Sequence, residues 1–403
     1  MLARPDPTTL AVIATNQGLF EDWETVYVQH RWAESTPIFR FTAVEREPIP
    51  QLWNKLQFRP GDRVNITLGG QVALQNGIIV TRQVSYDANQ HGVELIGKAM
   101  TYFAMKSSVD VPDGNFDGMT FEEVARKVLA KYQGIGIATV GALNPRIFHN
   151  LQNEKGETNW DFLEKIARAR GIVLGSDHLS NVLLIGGHAN PIVANLVEGQ
   201  NILSCQCVIS IENLAALYEM ANSSVGTDEQ HGTAASEQQA DAGGTGPPTS
   251  NYLTPSVVPV YDPAELQEMA QNEAVWSEGT AVQATVVVQG WMVPGTKALW
   301  RAGDNVFVNS PMAILDQAMA IRTVTFTQDQ RGTLTTLDLV IPWLLRDQIP
   351  PGINFPANPA AEQQTPQPHP EQPAPAAPTP APPQTPAPQA RVPWPASWTY
   401  RRR

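Results

Sequence analysis

Through residues 1–100 apolar and polar side chains alternate along the chain, the period of a half-buried β-strand. Pro37-Ile38-Phe39-Arg40-Phe41-Thr42-Ala43-Val44 is one such run, and Val64-Asn65-Ile66-Thr67-Leu68 is another that stops at Gly69-Gly70. Ile78 to Tyr86 and Gly92 to Gly97 read as the arms of a long hairpin across Asp87-Ala88-Asn89-Gln90-His91. Short strands separated by turn residues predict a small barrel or sandwich.

Between 101 and 190 the period lengthens to that of a helix. Thr120-Phe121-Glu122-Glu123 is a capping box, in which a hydroxyl and a carboxylate three residues later satisfy each other's backbone donors. It opens a helix with Phe121, Val124, Val128, Leu129 and Tyr132 along one stripe. Thr158-Asn159-Trp160-Asp161 caps a second helix bearing Trp160, Leu163, Ile166 and Ala167, and Gly171 supplies its stop. Ile172-Val173-Leu174 and Val182-Leu183-Leu184-Ile185 then form a hairpin through Gly175-Ser176-Asp177. The expectation is an α/β insert of two helices and a few strands.

Alternation returns at Asn201 to Ile211. Residues 223–251 are Gly, Ala, Ser, Thr, Gln, Asp and Glu in the main, too polar to bury a core, and are expected to be a flexible loop. Asp262-Pro263 starts a helix that runs to about Trp276, with proline at its first position. Ala281 to Val293 is a strand rich in β-branched residues. From about residue 352 Pro, Ala, Gln and Thr dominate. A polyproline-like segment rising about 3.1 Å per residue would reach on the order of 100 Å. It ends in Trp394, Trp398, Tyr400, Arg401, Arg402 and Arg403, residue types favoured as interface anchors.

One block occurs twice. Pro60-Gly61-Asp62-Arg63-Val64 and Ala302-Gly303-Asp304-Asn305-Val306 each open a strand, after Leu52-Trp53 and Leu299-Trp300 respectively. Gly92 follows the first, and Gly332 the second, at nearly the same distance. Both glycines are flanked by alternating arms, with Ile321, Val324, Phe326, Leu337, Leu339 and Ile341 in the second copy. Two β-modules per chain make six in a trimer, which is what a threefold-to-sixfold adaptor requires.

Composition narrows the function more than it suggests one. The 403 residues suffice for two or three domains. The net charge of −12 argues against a surface that grips nucleic acid, because phosphate contact needs clustered Lys and Arg. No apolar run reaches the roughly 20 residues that cross a bilayer. Leu10-Ala11-Val12-Ile13-Ala14 lacks the basic start of a signal peptide, so synthesis in a cytoplasm is expected. Cys205 and Cys207, two apart on a strand, share a face as small apolar residues; two ligands make no metal site.

The 7 histidines have no metal-ligand spacing, and His178 and His231 are expected to be solvated. Gly134, Gly136 and Gly141 have the wrong spacing for a dinucleotide loop and read as turn glycines. Glu45 with Glu47, and Glu122 with Glu123, are carboxylate pairs better read as a solvated face and a helix cap than as a glycosidase pair. No catalytic, cofactor-binding or metal residue is predicted, and the expectation is no enzyme.

Two segments carry a family resemblance. Glu157-Thr158-Asn159-Trp160-Asp161-Phe162-Leu163 through Ala167 and Gly171-Ile172, followed by a hairpin, resembles phage baseplate hub proteins. That group takes in the Mu-like tail protein, the late control D proteins and the N-terminal part of VgrG spikes. Leu299-Trp300, Gly303-Asp304-Asn305-Val306, Val324-Thr325-Phe326 and Gly332 to Pro342 are similar to the end of the Mu-like hub.

The resemblance, most specific at 155–185 and 297–343, implies an α+β, mainly β chain. It would have two tube-like β-barrel domains with the α/β insert between them, and composition adds a disordered or extended Pro-rich C-terminal tail that the family pattern lacks. The expected division is a first barrel (1–100), the insert (101–190), the start of the second barrel (191–222), a low-complexity linker (223–261), a helix with the rest of that barrel (262–347), and the tail (348–403). It further implies a homotrimeric baseplate hub of a contractile phage tail, set between the hexameric tail tube protein and the trimeric central spike and lining the DNA channel. The hub would be assembled in the host cytoplasm and become part of the virion. The Pro-rich tail departs from the family pattern, and it is the anchor-type residues at its end that make it the expected tether to other baseplate proteins. Composition and motifs lead to the expectation of no membrane, no sequence-specific nucleic acid and no cofactor. A cell-wall-degrading enzyme of the tail tip would need a convergent acid pair in 101–190, where none is evident. A secretion-system spike would need a long β-helical extension, where the chain has a proline tail.

Overall fold

The computed structural model describes residues 7–16, 18–32, 36–45, 57–87, 91–112, 114–222, 238–255 and 263–347. The first region holds seven strands: β1 (Ala11–Thr15), β2 (Gly18–Phe20), β3 (Thr25–Arg31), β4 (Ile38–Glu45), β5 (Arg63–Leu68), β6 (Gln71–Tyr86) and β7 (His91–Ala99). The insert carries α1 (Thr101–Lys106), α2 (Phe121–Leu129), β8 (Ile137–Val140), α3 (Asn159–Ala169), β9 (Val173–Ser176) and β10 (Val182–Ile185). There follow β11 (Ile192–Val197), β12 (Ser204–Ile209), β13 (Leu217–Asn222), β14 (Gln238–Gly243), β15 (Asn251–Pro255) and α4 (Pro263–Gly279). The described chain closes with β16 (Val282–Gln289), β17 (Asn305–Ser310), β18 (Leu315–Asp329), β19 (Gly332–Val340) and a 3-10 turn (Pro342–Leu345).

The fold is mainly β, as the alternation predicts, but the described residues form no closed barrel. Both strand regions belong instead to one 13-stranded sheet in the order β12-β16-β19-β18-β3-β4-β7-β6-β5-β1-β2, with β17 beside β18 and β11 parallel to β17. The physical reason is the length of β18. Its first half pairs with β17, and its second half passes the end of that short strand and pairs with β3. A strand that spans two partners fuses the regions into one surface where two separate barrels were expected.

Alternation along the strands places one face of this sheet in a single apolar core. Phe39 and Phe41 of β4, Val26 and Val28 of β3, and Leu95 of β7 join Val286 of β16, Phe326 of β18 and Leu337 of β19 in it, with Trp291 and Trp300. Fully burying each such side chain contributes roughly 1.5–3 kcal/mol.

The insert has its own core. The α2 capping box forms as read, with Thr120 accepting from the Glu123 amide and Glu123 returning to the Thr120 amide, and Phe121, Val124, Val128 and Leu129 are buried. Thr158 caps α3 in the same way through the Asp161 amide, and Phe162, Leu163 and Ile166 pack against α2. The hairpin β9–β10 forms in register, with β8 added parallel to β10.

The polar stretch expected to be a loop is ordered over its second half. Here β14 pairs antiparallel and β15 parallel to β13, a three-stranded sheet. Tyr218, Met220, Ala240 and Ala242 of this sheet, with Leu266 and Ala270 of α4, extend the insert's core. Backbone ladders need no apolar composition, and two alanines suffice to seat the strand against the helix.

Candidate functional site

The duplicated block gives the molecule its most regular geometry. Gly61 and Gly303 adopt φ +98° and +94°, a left-handed conformation that glycine takes without a Cβ penalty. The Gly61 amide donates to the Ile79 carbonyl (2.8 Å), and the Ile79 amide donates to the Asp62 carbonyl (3.0 Å). Gly303 and Ile321 repeat this at 2.8 Å, and Ile321 with Asp304 at 2.9 Å. Beyond it Thr81 faces Ile96 as Thr323 faces Asp338, and Tyr86 faces His91 as Gln328 faces Thr333.

One constant displacement, that from Gly61 to Gly303, relates all these pairs. A register shift interrupts both ladders at the same place, between Ile79 and Thr81 and between Ile321 and Thr323. The expected equivalence of Gly92 and Gly332 is therefore off by two residues. Gly92 lies within its ladder opposite Ser85, as Leu334 lies opposite Thr327, whereas Gly332 sits at the hairpin turn. The preceding Leu52-Trp53 pair lies outside the described residues.

The likeness extends outwards. β4 pairs with β7 as β16 pairs with β19, placing Phe39 where Ala284 stands and Phe41 where Val286 stands. β3 pairs with β4 as β12 pairs with β16, placing Val26 and Val28 where Cys205 and Cys207 stand. The chain thus contains two equivalent modules, β3–β4–β7–β6–β5 and β12–β16–β19–β18–β17.

Inside the chain the modules meet where β3 lies against β18. Val28 faces Phe326 and Val26 faces Gln328. The Gln29 side-chain amide donates to Thr325 Oγ1 (3.0 Å), the Trp32 amide to the Arg322 carbonyl (2.8 Å), and Arg301 Nη2 to the Val72 carbonyl (3.0 Å). His30 is buried at this seam. Burial holds its pKa down at about 3, with the Arg301 guanidinium and His178 acting the same way and the Ala73 backbone opposing them. Burial also pushes the Asp304 carboxyl up to about 6 against the pull of Arg301. His178, expected to be solvated, is half-buried, with its pKa lowered chiefly by burial and then by Arg301. Its turn is docked on the first module, where the Gln75 amide donates to the His178 carbonyl (2.7 Å). The group holds no nucleophile beside a base, and its chemistry is that of a fixed joint.

The remaining candidate residues are dispersed. Glu122 is engaged by Arg126 (2.6 Å), and Glu123 serves as the helix cap. Glu47 and His231 lie outside the described residues, as do the candidate anchors Trp394, Trp398, Tyr400, Arg401, Arg402 and Arg403. Cys205 and Cys207 are free thiols on β12 with pKa raised, first by burial. Among the described residues no cluster of three metal-ligand side chains occurs.

Two features of the outer edges escape sequence reading. The outer half of β6, beyond the reach of β5, has β7 on one side and no strand on the other among the described residues, and β12 ends the sheet beyond β16. Val84, Tyr86, Leu203, Val208, Ile209 and Ile211 are exposed there.

Known proteins share parts of this architecture. Residues 262–345 match the family profile described as Mu phage baseplate assembly protein GpP, fourth domain. Residues 105–186 match the profile described as baseplate hub protein gp44-like, second domain. Both cover the segments in which the hub resemblance is most specific, and that resemblance holds. No curated protein matches the sequence. The 43 kDa tail protein of prophage MuSo2 from Shewanella oneidensis is similar in structure, with 21% identity and a TM-score of 0.70 over 85% of this chain and 100% of that one. The tail protein from Neisseria meningitidis MC58 gives 19% and 0.69 over 84% and 98%. Prophage tail protein gp18 from Listeria monocytogenes EGD-e gives 10% and 0.52 over 82% and 94%. At these identities the structural likeness shows a shared fold. Together with the two profiles it supports a structural role in a phage tail or baseplate.

Proposed function

We propose that this chain, with its likeness to baseplate hub and tail proteins, is the structural hub of a phage tail baseplate. It acts as a homotrimer that adapts a sixfold tail tube to a threefold central spike and lines the DNA channel. The observation that carries this reading is the pair of equivalent strand modules, related residue for residue along the β6–β7 and β18–β19 ladders from Ile79 and Ile321 onward. A symmetric trimer of such chains presents six like modules on one side, while the insert occurs once per chain and keeps the true threefold. The net charge of −12 suits a channel wall past which DNA slides without being held.

In this reading the protein is not an enzyme; it is assembled in the host cytoplasm and carried in the virion, with the Mu-like resemblance favouring a contractile tail. The first module would be built on residues 1–100, the second on 191–222 with 262–347, and the insert on 101–190. Trp394, Trp398, Tyr400 and Arg401 to Arg403 would anchor the Pro-rich segment to a neighbouring baseplate protein.

Electron microscopy of particles tests the core of the proposal. Density for this chain with threefold symmetry between tube and spike is expected, and particles lacking it there would end the hub reading. Deleting residues 352–403 is expected to lower the yield of infectious particles at least tenfold. A normal yield would remove the anchoring role and leave the hub intact.

A further inference from the structure

We propose that copies of this chain join by pairing the outer half of β6 in one copy with β12 of the next. The register is the one that β18 and β3 already use within each chain. The inference deepens the hub reading and rests on it for the number of copies.

The argument is one of unequal surroundings for equal strands. β18 and β6 are counterparts, and so are β3 and β12. Within the chain, the outer half of β18 is completed by β3, and there Phe326 is 1% and Val28 0% exposed. The outer half of β6 and the edge of β12 have no such partner among the described residues. Val84, the counterpart of Phe326, is 43% exposed, and Cys207, the counterpart of Val28, is half-buried with Cys205 beside it exposed. Carrying the internal pairing over places Val84 opposite Cys207 and Tyr86 opposite Cys205 on the core-facing side. It places Gln83 opposite Val208 and Ser85 opposite Gln206 on the other side.

Neither edge carries a proline: Ser204–Ile209 reads SCQCVI and Thr81–Tyr86 reads TRQVSY. The one charge is Arg82, which the same register sets opposite Ile209. Exposed strand edges are ordinarily blunted by lysine, proline or a cover, so two complementary edges with a single charge between them and no strand beside them among the described residues are suited to pairing with each other. Each copy offers β12 to one neighbour and β6 to the other. The contact is head to tail, and its repetition closes a ring of alternating modules. The small thiols of Cys205 and Cys207 leave room there for the larger Tyr86 and Val84 side chains.

The test is disulfide trapping in assembled particles carrying full-length Val84→Cys, using the natural Cys207 as partner. Mild oxidation is expected to convert most of the chain into covalent multimers, with peptide mass mapping placing the bond between the thiol introduced by Val84→Cys and Cys207 of the adjoining copy. The linkage should be lost in Val84→Cys with Cys207→Ser, and Ser85→Cys should give none. Tyr86→Cys is expected to link to Cys205 in the same register. Particles that contain the chain with threefold density but give no linkage at either pair, or give it at Ser85→Cys, would overturn the seam and leave the hub standing. Particles without threefold density would instead overturn the hub.

Full-length Val84→Lys covers the case in which the cysteine variants fail to assemble. Its isolated chain should melt within about 2 °C of the wild type, because position 84 is exposed before assembly, while incorporation into particles falls at least tenfold. Incorporation at the wild-type level would overturn the seam.

Discussion

The two strand modules share their hydrogen bonds but not their surroundings, and the difference separates what a hairpin owes to its own sequence from what it owes to its neighbours. Gly61 and Gly303 turn alike, yet a Cβ on Gly61 would meet nothing within 4 Å, whereas one on Gly303 would stand 2.6 Å from the Trp32 ring. Phe326 and Val84 occupy the same place in their ladders, one sealed under β3 and the other open. Local geometry is set by the Gly-Asp turn and the alternation after it. Whether a given side chain belongs to the core is decided by which strand arrives next to it.

Mutation of counterpart pairs puts that comparison under strain. Phe326→Ala should cost about 3–5 kcal/mol in denaturant unfolding of the isolated chain, the range for deleting a buried aromatic ring. Val84→Ala should stay within about 0.5 kcal/mol; similar losses at both positions would mean that the two edges are equally buried. Gly303→Ala combines about 1–2 kcal/mol of left-handed backbone strain with about 1–3 kcal/mol of crowding against Trp32. Gly61→Ala carries the strain alone, and a Gly61→Ala variant as unstable as Gly303→Ala would contradict the difference in space.

The seam between the modules also makes stability depend on pH. Folded His30 is held neutral down to about pH 3, while the unfolded chain takes up the proton near 6.5. Its contribution is therefore complete above pH 6.5 and is lost as the pH falls toward 3. Replacing it by His30→Gln should remove up to one proton from the acid slope, about 1.4 kcal/mol per pH unit at most. His178, shifted the same way, retains its share of that slope. An acid limb identical to the wild type would show that His30 is not buried at the seam.

Asp304 has the opposite sign. Its carboxyl titrates near 6 when folded and near 3.8 when unfolded, so its protonated form favours the fold below 3.8 and that advantage is lost as the pH rises through 6. Asp304→Asn should raise the melting temperature slightly at pH 7 relative to its effect at pH 4. The reverse order would show the pull of Arg301 to outweigh burial.

How far these features can be read from the sequence follows their range along the chain. The Thr120 and Thr158 caps are legible because donor and acceptor stand three residues apart, and the structure forms both. The Gly-Asp turns are legible for the same reason. Their exact equivalence is not, because Gly92 and Gly332 look alike while lying at different points of their ladders. The β3–β18 seam joins residues almost 300 positions apart, as in the bond from Gln29 to Thr325, and alternation does not say which strand is neighbour to which. His178 sits at a turn, which suggests solvent, but the turn presses on Gln75. β14 misleads most, because a backbone ladder leaves little trace in a composition of Gln, Ala, Asp and Gly.

The gapless correspondence between the modules has an evolutionary meaning. From Ile79 and Ile321 to the end of the hairpin that follows, neither copy has gained or lost a residue relative to the other. Before that point the β5–β6 ladder is bulged and closes over Gly69-Gly70, whereas β17–β18 runs unbroken and closes over 311–314. Outside that stretch, β3 and β4 are joined by a short connection, whereas β12 and β16 are separated by a whole sheet and a helix. Length has drifted freely in the connections and not at all in the β6–β7 and β18–β19 hairpins. A wall laid in courses tolerates ornament between its bricks, but it tolerates no change in the brick.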